Sequence, residues 1–260
     1  MTQQNKTIIV TGASQGIGAG IANAFLARGY NVVATSRNAS KSTELTASDN
    51  LAIIDGDIGD AATAARIVAT AVQRFGGIDG LVNNAGIFVA KPFTDFTSED
   101  FQNLVHTNLE GYLYITQYAV KQMLAQKRGG SVVGITTTLL SNPVAGLTAS
   151  ISMMTKGGIA SASANLALEY AKDQIRFNLV APGIVDTPMH KDTPRDFMKS
   201  LSPMGTYATT QQIADAVLYL TEATHVTGET LNVGGGAQRD RKSTRLNSSH
   251  TATSRMPSSA

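Results

Sequence analysis

Short runs of aliphatic and β-branched residues recur along the chain, separated by longer stretches in which apolar positions return every three or four residues. The runs TIIV (7–10), NVVAT (31–35), LAIID (51–55), IDGLVN (78–83), SVVGIT (131–136), IRFNLVAP (175–182) and TLNV (230–233) predict strands. The intervening periodicity predicts helices over 16–28, 60–75, 98–127, 150–172 and 211–220. Gly29 sits where a left-handed residue closes the first of these, and Thr97-Ser98-Glu99-Asp100 reads as a capped start with acids in the first turn. Strand and helix alternate throughout, which predicts an α/β fold. The expected architecture is a single-domain, doubly wound parallel sheet of about seven strands with helices on both faces. No internal repeat or linker divides residues 1–239. Residues 188–209, richer in proline, methionine and charge, are expected to form a mobile lid or loop.

The last residues change how the charge is read. DRKSTRLNSSH (240–250) is what one frame of a common sequencing-library adapter encodes, and SRMPSSA (254–260) fits the next part of that adapter. Residues 240–260 are therefore expected to be a non-native, disordered tail. They carry a net +3, so the chain's +2 leaves −1 for residues 1–239. Net charge then supports neither a nucleic-acid partner nor an anionic membrane surface. With no cysteine there is no disulfide, thiol nucleophile or thiolate metal site, and His106, His190 and His225 are too scattered to suggest a metal. No apolar run reaches eighteen residues and the N-terminus lacks a signal-peptide core, so a cytoplasmic location is expected.

TIIVTGASQGIG places Gly12, Gly16 and Gly18 between the first strand and the first helix. A pyrophosphate needs that arrangement: a sharp turn, close backbone approach, and free N–H groups at the positive end of a helix. Dinucleotide binding follows. An acidic residue about 20 positions on would hold the 2′-hydroxyl of NAD. Here the second strand ends Thr35-Ser36-Arg37, with no carboxylate before Glu44. A 2′-phosphate would meet a hydroxyl and a guanidinium, so NADP(H) is expected over NAD(H).

TGASQGIG, NNAG (83–86), Asn108 in HTNLEG, Lys156 and PGIVDTPM (182–189) together resemble the short-chain dehydrogenase/reductase family, over nearly all of residues 5–237. The resemblance implies a Rossmann fold and a homodimer or homotetramer paired through the helices at 98–127 and 150–172. Gly157, Ala160, Ala164 and Ala167 would permit close approach there. It also implies that Ser14, Ile17, Asp57, Ile58, Asn84, Ala85 and Gly86 line the cofactor site, with Pro182, Gly183, Val185 and Thr187 near the nicotinamide. The substrate would be a small-molecule carbonyl or alcohol.

That family's catalytic set is an Asn, a Ser, a Tyr and a Lys, the last two spaced YxxxK. Asn108 and Lys156 match, and Thr137 in GITTT is the best candidate for the Ser, but Ser152 stands at the tyrosine position. An aliphatic hydroxyl is shorter than a phenol and far less acidic, so Ser152 cannot directly replace its proton transfer. No Tyr, His, Asp or Glu lies between Tyr118 and Glu169. A relay water held by Asn108 and Ser152, proton donation by Lys156, or NADP binding without efficient turnover remain open. Enoyl-type reduction and a Ser–Lys hydrolase are further alternatives. Restoring a tyrosine at 152 is expected to raise carbonyl reduction.

Overall fold

The computed structural model describes residues 5–237; the expectation for the tail at 240–260 falls outside them. Seven parallel strands form one sheet in the order β3-β2-β1-β4-β5-β6-β7: β1 (Thr7–Thr11), β2 (Asn31–Ser36), β3 (Leu51–Asp55), β4 (Gly80–Asn83), β5 (Gly130–Ile135), β6 (Ile175–Pro182) and β7 (Thr230–Val233). The pleat explains why the inner strands are apolar throughout. In β1, Ile8 and Val10 enter one core with Ile21 and Phe25 of α1 (Gly16–Ala27) and Val217 of α7 (Thr210–Glu222). Ile9 points the other way, to Ile67 of α2 (Ala61–Phe75) and Ile115 of α4 (Gly111–Gln126). Val32 and Val33 of β2, and Val133 and Val132 of β5, divide in the same way. A strand covered on both faces keeps no polar alternation.

The predicted ends are close to those found. Gly29 has φ +80°, and the capping box at Thr97 forms, with Asp100 as its third-position acid. Two elements differ. The helix predicted over 98–127 is three pieces: α3 (Ser98–Leu104), a π-helical stretch Val105–Glu110, and α4. The 188–209 segment is not one open loop: a 3-10 turn, Pro188–His190, leads to the short helix α6 (Arg195–Ser200). The Thr136 and Thr137 that follow β5 begin the connection to α5 (Ser150–Glu169).

No helix among the described residues is long and apolar enough to cross a membrane.

Candidate active site

The strand order reverses between β1 and β4, so the connections leaving their carboxyl ends separate and open a crevice. A cleft of about 900 Å³ lies there, bordered by the loops after β1 to β6. Thr11 ties its floor together: its hydroxyl accepts from the N–H groups of Asn84 and Ala85, both at 3.0 Å. Asn84 Nδ2 returns the contact, donating to the carbonyls of Thr11 and Gly12 at 3.0 and 3.1 Å.

This cradle needs its glycines. A Cβ on Gly12, whose φ is +64°, would lie 2.8 Å from Ala85 Cα. One on Gly18 would lie 2.2 Å from the Gly12 carbonyl oxygen. Glycine therefore lets α1 begin directly against the cleft, where a helix's first N–H groups lack internal partners. Gln15 provides no side-chain cap. Gly16, Ile17 and Gly18 all line the cleft, as do Ser14, Ser36, Arg37, Asp57, Ile58, Asn84, Ala85 and Gly86. Pro182, Gly183, Val185 and Thr187 close it on the β6 side, with Thr187 and Pro188 packed beside Gly16. A dinucleotide fits this donor set and this close-approach backbone.

Arg37 is exposed and makes no ion pair or hydrogen bond among the described residues, while Asp57 is tied down by its neighbours. The Gly59 N–H donates to Asp57 at 2.9 Å, and His106 stands 3.4 Å from the same oxygen. The hydrogen bond between His106 and Glu110, 2.7 Å, raises the imidazole above its ordinary pKa despite some desolvation.

The other end brings Thr137 and Lys156 to the cleft, and leaves Asn108 and Ser152 behind its wall. Asn108 sits in the π-helical stretch, buried, and its amide is occupied. Nδ2 donates to Ile87 O (3.1 Å) and Thr155 Oγ1 (2.9 Å), and Oδ1 accepts from Ile87 N (2.8 Å). Ser152 has no exposed surface. Its hydroxyl donates to the Val89 carbonyl and accepts from the Val89 N–H, both at 2.9 Å. The residues expected to hold a relay water instead pin the segment Ile87–Val89. The Ser152 side chain is therefore committed to Val89 and not to the cleft.

Lys156 Nζ donates to the Ile135 carbonyl at 2.8 Å and has no ion pair among the described residues. Burial without a counter-ion lowers its pKa to about 8. The Thr137 hydroxyl accepts from Leu139 N at 3.2 Å, which leaves its own proton available for donation. Among the described residues, no group of three His, Asp or Glu side chains is placed to hold a metal ion.

Two contributors were missed from sequence. His190 borders the cleft, and the only signal was its place just after the PGIVDTP motif. Glu44 accepts from the Gly16 N–H at 2.7 Å, a carboxylate at the helix N-terminus that no local spacing announces. Phe88, Leu139, Val144, Leu147, Met189 and Phe197 make the substrate side of the cleft apolar.

The family described as enoyl-(acyl carrier protein) reductase matches residues 12–238. An L-rhamnose 1-dehydrogenase (NAD(P)(+)) of Sphingomonas sp. is 34% identical over 246 residues, 90% of this chain and 96% of the relative. The solved structure of ElxO with NADP bound superposes with a TM-score of 0.79 at 28% identity, covering 90% of this chain and 98% of that one. A 3-ketoacyl-(acyl-carrier-protein) reductase from Brucella melitensis complexed with NADH gives 0.84 at 26% identity, covering 90% and 99%. A matching family over nearly the whole described chain, on a parallel sheet with a dinucleotide cradle at its switch point, identifies the protein as a member of the short-chain dehydrogenase/reductase superfamily of oxidoreductases.

Proposed function

We propose that the protein is an NADP(H)-preferring oxidoreductase of a carbonyl/alcohol pair whose proton-transfer side departs from the YxxxK arrangement. The observation that carries this reading is a single cleft with an unpartnered Arg37 at one end and Lys156 beside Thr137 at the other. When bound, the nicotinamide supplies hydride chemistry. The chain's own residues divide the remaining work. Arg37 and Ser36 hold the 2′-phosphate, and Gly12 to Gly18 hold the pyrophosphate. Asp57 and Ile58 flank the adenine. Lys156 orients the nicotinamide ribose, and the Thr137 hydroxyl donates to the substrate carbonyl. Asn108 and Ser152 are positioning residues, keeping Ile87–Val89 against the cleft.

ElxO, whose structure holds NADP, and the absence of a carboxylate at the end of β2 both support the cofactor preference. A charge-assisted contact contributes roughly 1.5–3 kcal/mol. Arg37→Ala is therefore expected to weaken NADPH by on the order of tenfold to a hundredfold while leaving NADH nearly unchanged, as read by fluorescence titration. Equal losses for both cofactors would remove Arg37 from the phosphate site.

A second reading, NADP binding without efficient turnover, draws on the Ser152 hydroxyl being tied to Val89 with no phenol beside Lys156. An enoyl-type reduction is the third, supported by the description of the matching family. The same proposal places the protein in the cytoplasm as a homodimer or homotetramer, joined through the exposed Leu113 of α4 and Met154 and Leu168 of α5. Ala167 faces its own core and takes no part in that contact.

A further inference from the structure

Four titratable side chains border the cleft among the described residues: Arg37, Asp57, Lys156 and His190. The sheet separates them. Arg37 and Asp57 follow β2 and β3, on one side of the reversal, while Lys156 anchors on β5 and His190 follows β6, on the other. Only Lys156 and His190 are therefore available to move a proton at the end of the cleft that lies beside Thr137.

Their circumstances differ. Lys156 is held by the Ile135 carbonyl. The His190 ring is half-buried and makes no hydrogen bond among the described residues, although its backbone N–H is fixed to Thr187 O at 2.9 Å. The same cleft is lined by the apolar Met189, Phe197 and Leu201. An imidazole with both ring nitrogens open, on a fixed backbone and facing a substrate-sized cleft, has no structural task that accounts for it.

We propose that His190 carries the proton that a tyrosine at position 152 would have carried. This rests on the oxidoreductase reading above. In the oxidative direction the alcohol O–H bond breaks and its proton passes to a ring nitrogen of neutral His190. The carbinol C–H bond breaks with its electron pair, which leaves as hydride to NADP⁺, and the C=O bond forms. Reduction runs the same changes in reverse, with the imidazolium returning its proton to the carbonyl oxygen.

Burial lowers the His190 pKa, opposed by the charge of Asp186. Asp186 is itself paired with Arg195 at 3.3 Å, Lys191 and Asp192 follow on the same turn, and Lys156 is the charged group across the cleft. Burial thus favours the neutral, proton-accepting form of the ring. Alcohol oxidation uses this neutral form, so its rate falls as pH drops through the His190 pKa.

The test has two arms. By NMR of the free protein, the imidazole signal lost in His190→Gln is expected to titrate below 6.5 and to shift on adding cyclohexanone as a carbonyl probe. In turnover with the best alcohol of a mixed panel, His190→Gln is expected to lower kcat by ~10²–10⁴ and to lose the acidic limb of the profile. KM and NADPH affinity should stay within about twofold. His190→Ala should recover part of the rate in imidazole buffer, a rescue that a purely structural role does not give. A ring that titrates at or above 6.5, or a His190→Gln rate and profile like the parent's, overturns the assignment alone. If the parent binds NADPH but turns over no member of the panel, the oxidoreductase reading fails and His190 falls with it.

Discussion

Burial treats the two side chains of the SxxxK pair in opposite ways. Ser152 satisfies both its donor and its acceptor on Val89, so its desolvation is compensated. Among the described residues Lys156 has one carbonyl and no counter-charge, so its charged form is disfavoured and its pKa falls from 10.5 to about 8. That shift is also a statement about stability. Between pH 8 and 10.5 the unfolded chain binds a proton at this lysine that the folded chain has released. Stability from this group therefore rises with pH across that window, and its full cost is felt below pH 8. Lys156→Met is expected to raise the melting temperature of the cofactor-free protein at pH 7, with the gain shrinking above pH 8 and vanishing near 10.5. It should also weaken NADPH binding. Melting curves of parent and variant at pH 7 and pH 10 check this; a variant less stable than the parent at pH 7 would show that Lys156 is compensated by a partner.

The elements explain how Ser152 comes to be bonded to Val89. The connection leaving β4 carries Ile87 and Val89. The π-helical stretch between α3 and α4 presents Asn108 to the first, and the opening turns of α5 present Ser152 to the second. Two elements thus converge on two residues of that connection, and a serine is short enough to let its backbone come close. A phenol there forfeits both Val89 hydrogen bonds in a position with no exposed surface. Overpacking costs roughly 1–3 kcal/mol, so Ser152→Tyr is expected to lower the melting temperature by roughly 2–10 °C without raising carbonyl reduction. This reverses the expectation drawn from the family resemblance. A stable Ser152→Tyr variant with a raised rate would mean that Ile87–Val89 gives way and the slot is open after all.

What could be read ahead of the structure followed from local chemistry. The seven strands were legible because two-sided burial writes itself as uninterrupted apolar runs, and α1 because its glycines and Gly29 mark both ends. The π-helical stretch was not, since a single π turn carries no residue signature that sets it apart from the α-helix on either side. Nor was the commitment of Asn108 and Ser152 to Ile87 and Val89, contacts 21 and 63 residues apart in sequence. Glu44 was read only as the first carboxylate after β2, because its contact with Gly16 depends on how the 37–50 connection folds back over α1.

At the scale of the molecule, the parallel sheet does two separable jobs. Its β1–β3 half brings Gly12, Gly16, Gly18 and Arg37 to the cleft, residues singled out by the strand–glycine–helix pattern and by the end of the second strand. Under the proposed function its β4–β6 half is the reacting end, where the titratable groups bordering the cleft among the described residues are Lys156 and His190. Binding and chemistry can therefore fail independently, which makes hydride transfer itself the deciding quantity. The most direct measurement incubates the protein with NADPH deuterated at the nicotinamide C4, using material labelled on either face, and a panel of aldehydes, ketones and enones. The products are analysed by mass spectrometry beside a cofactor-binding titration. The account predicts deuterium on the carbinol carbon of at least one alcohol product. Tight NADPH binding with no deuterium in any product would contradict it, and deuterium found only at the β-carbon of enone products would assign the site to C=C reduction instead.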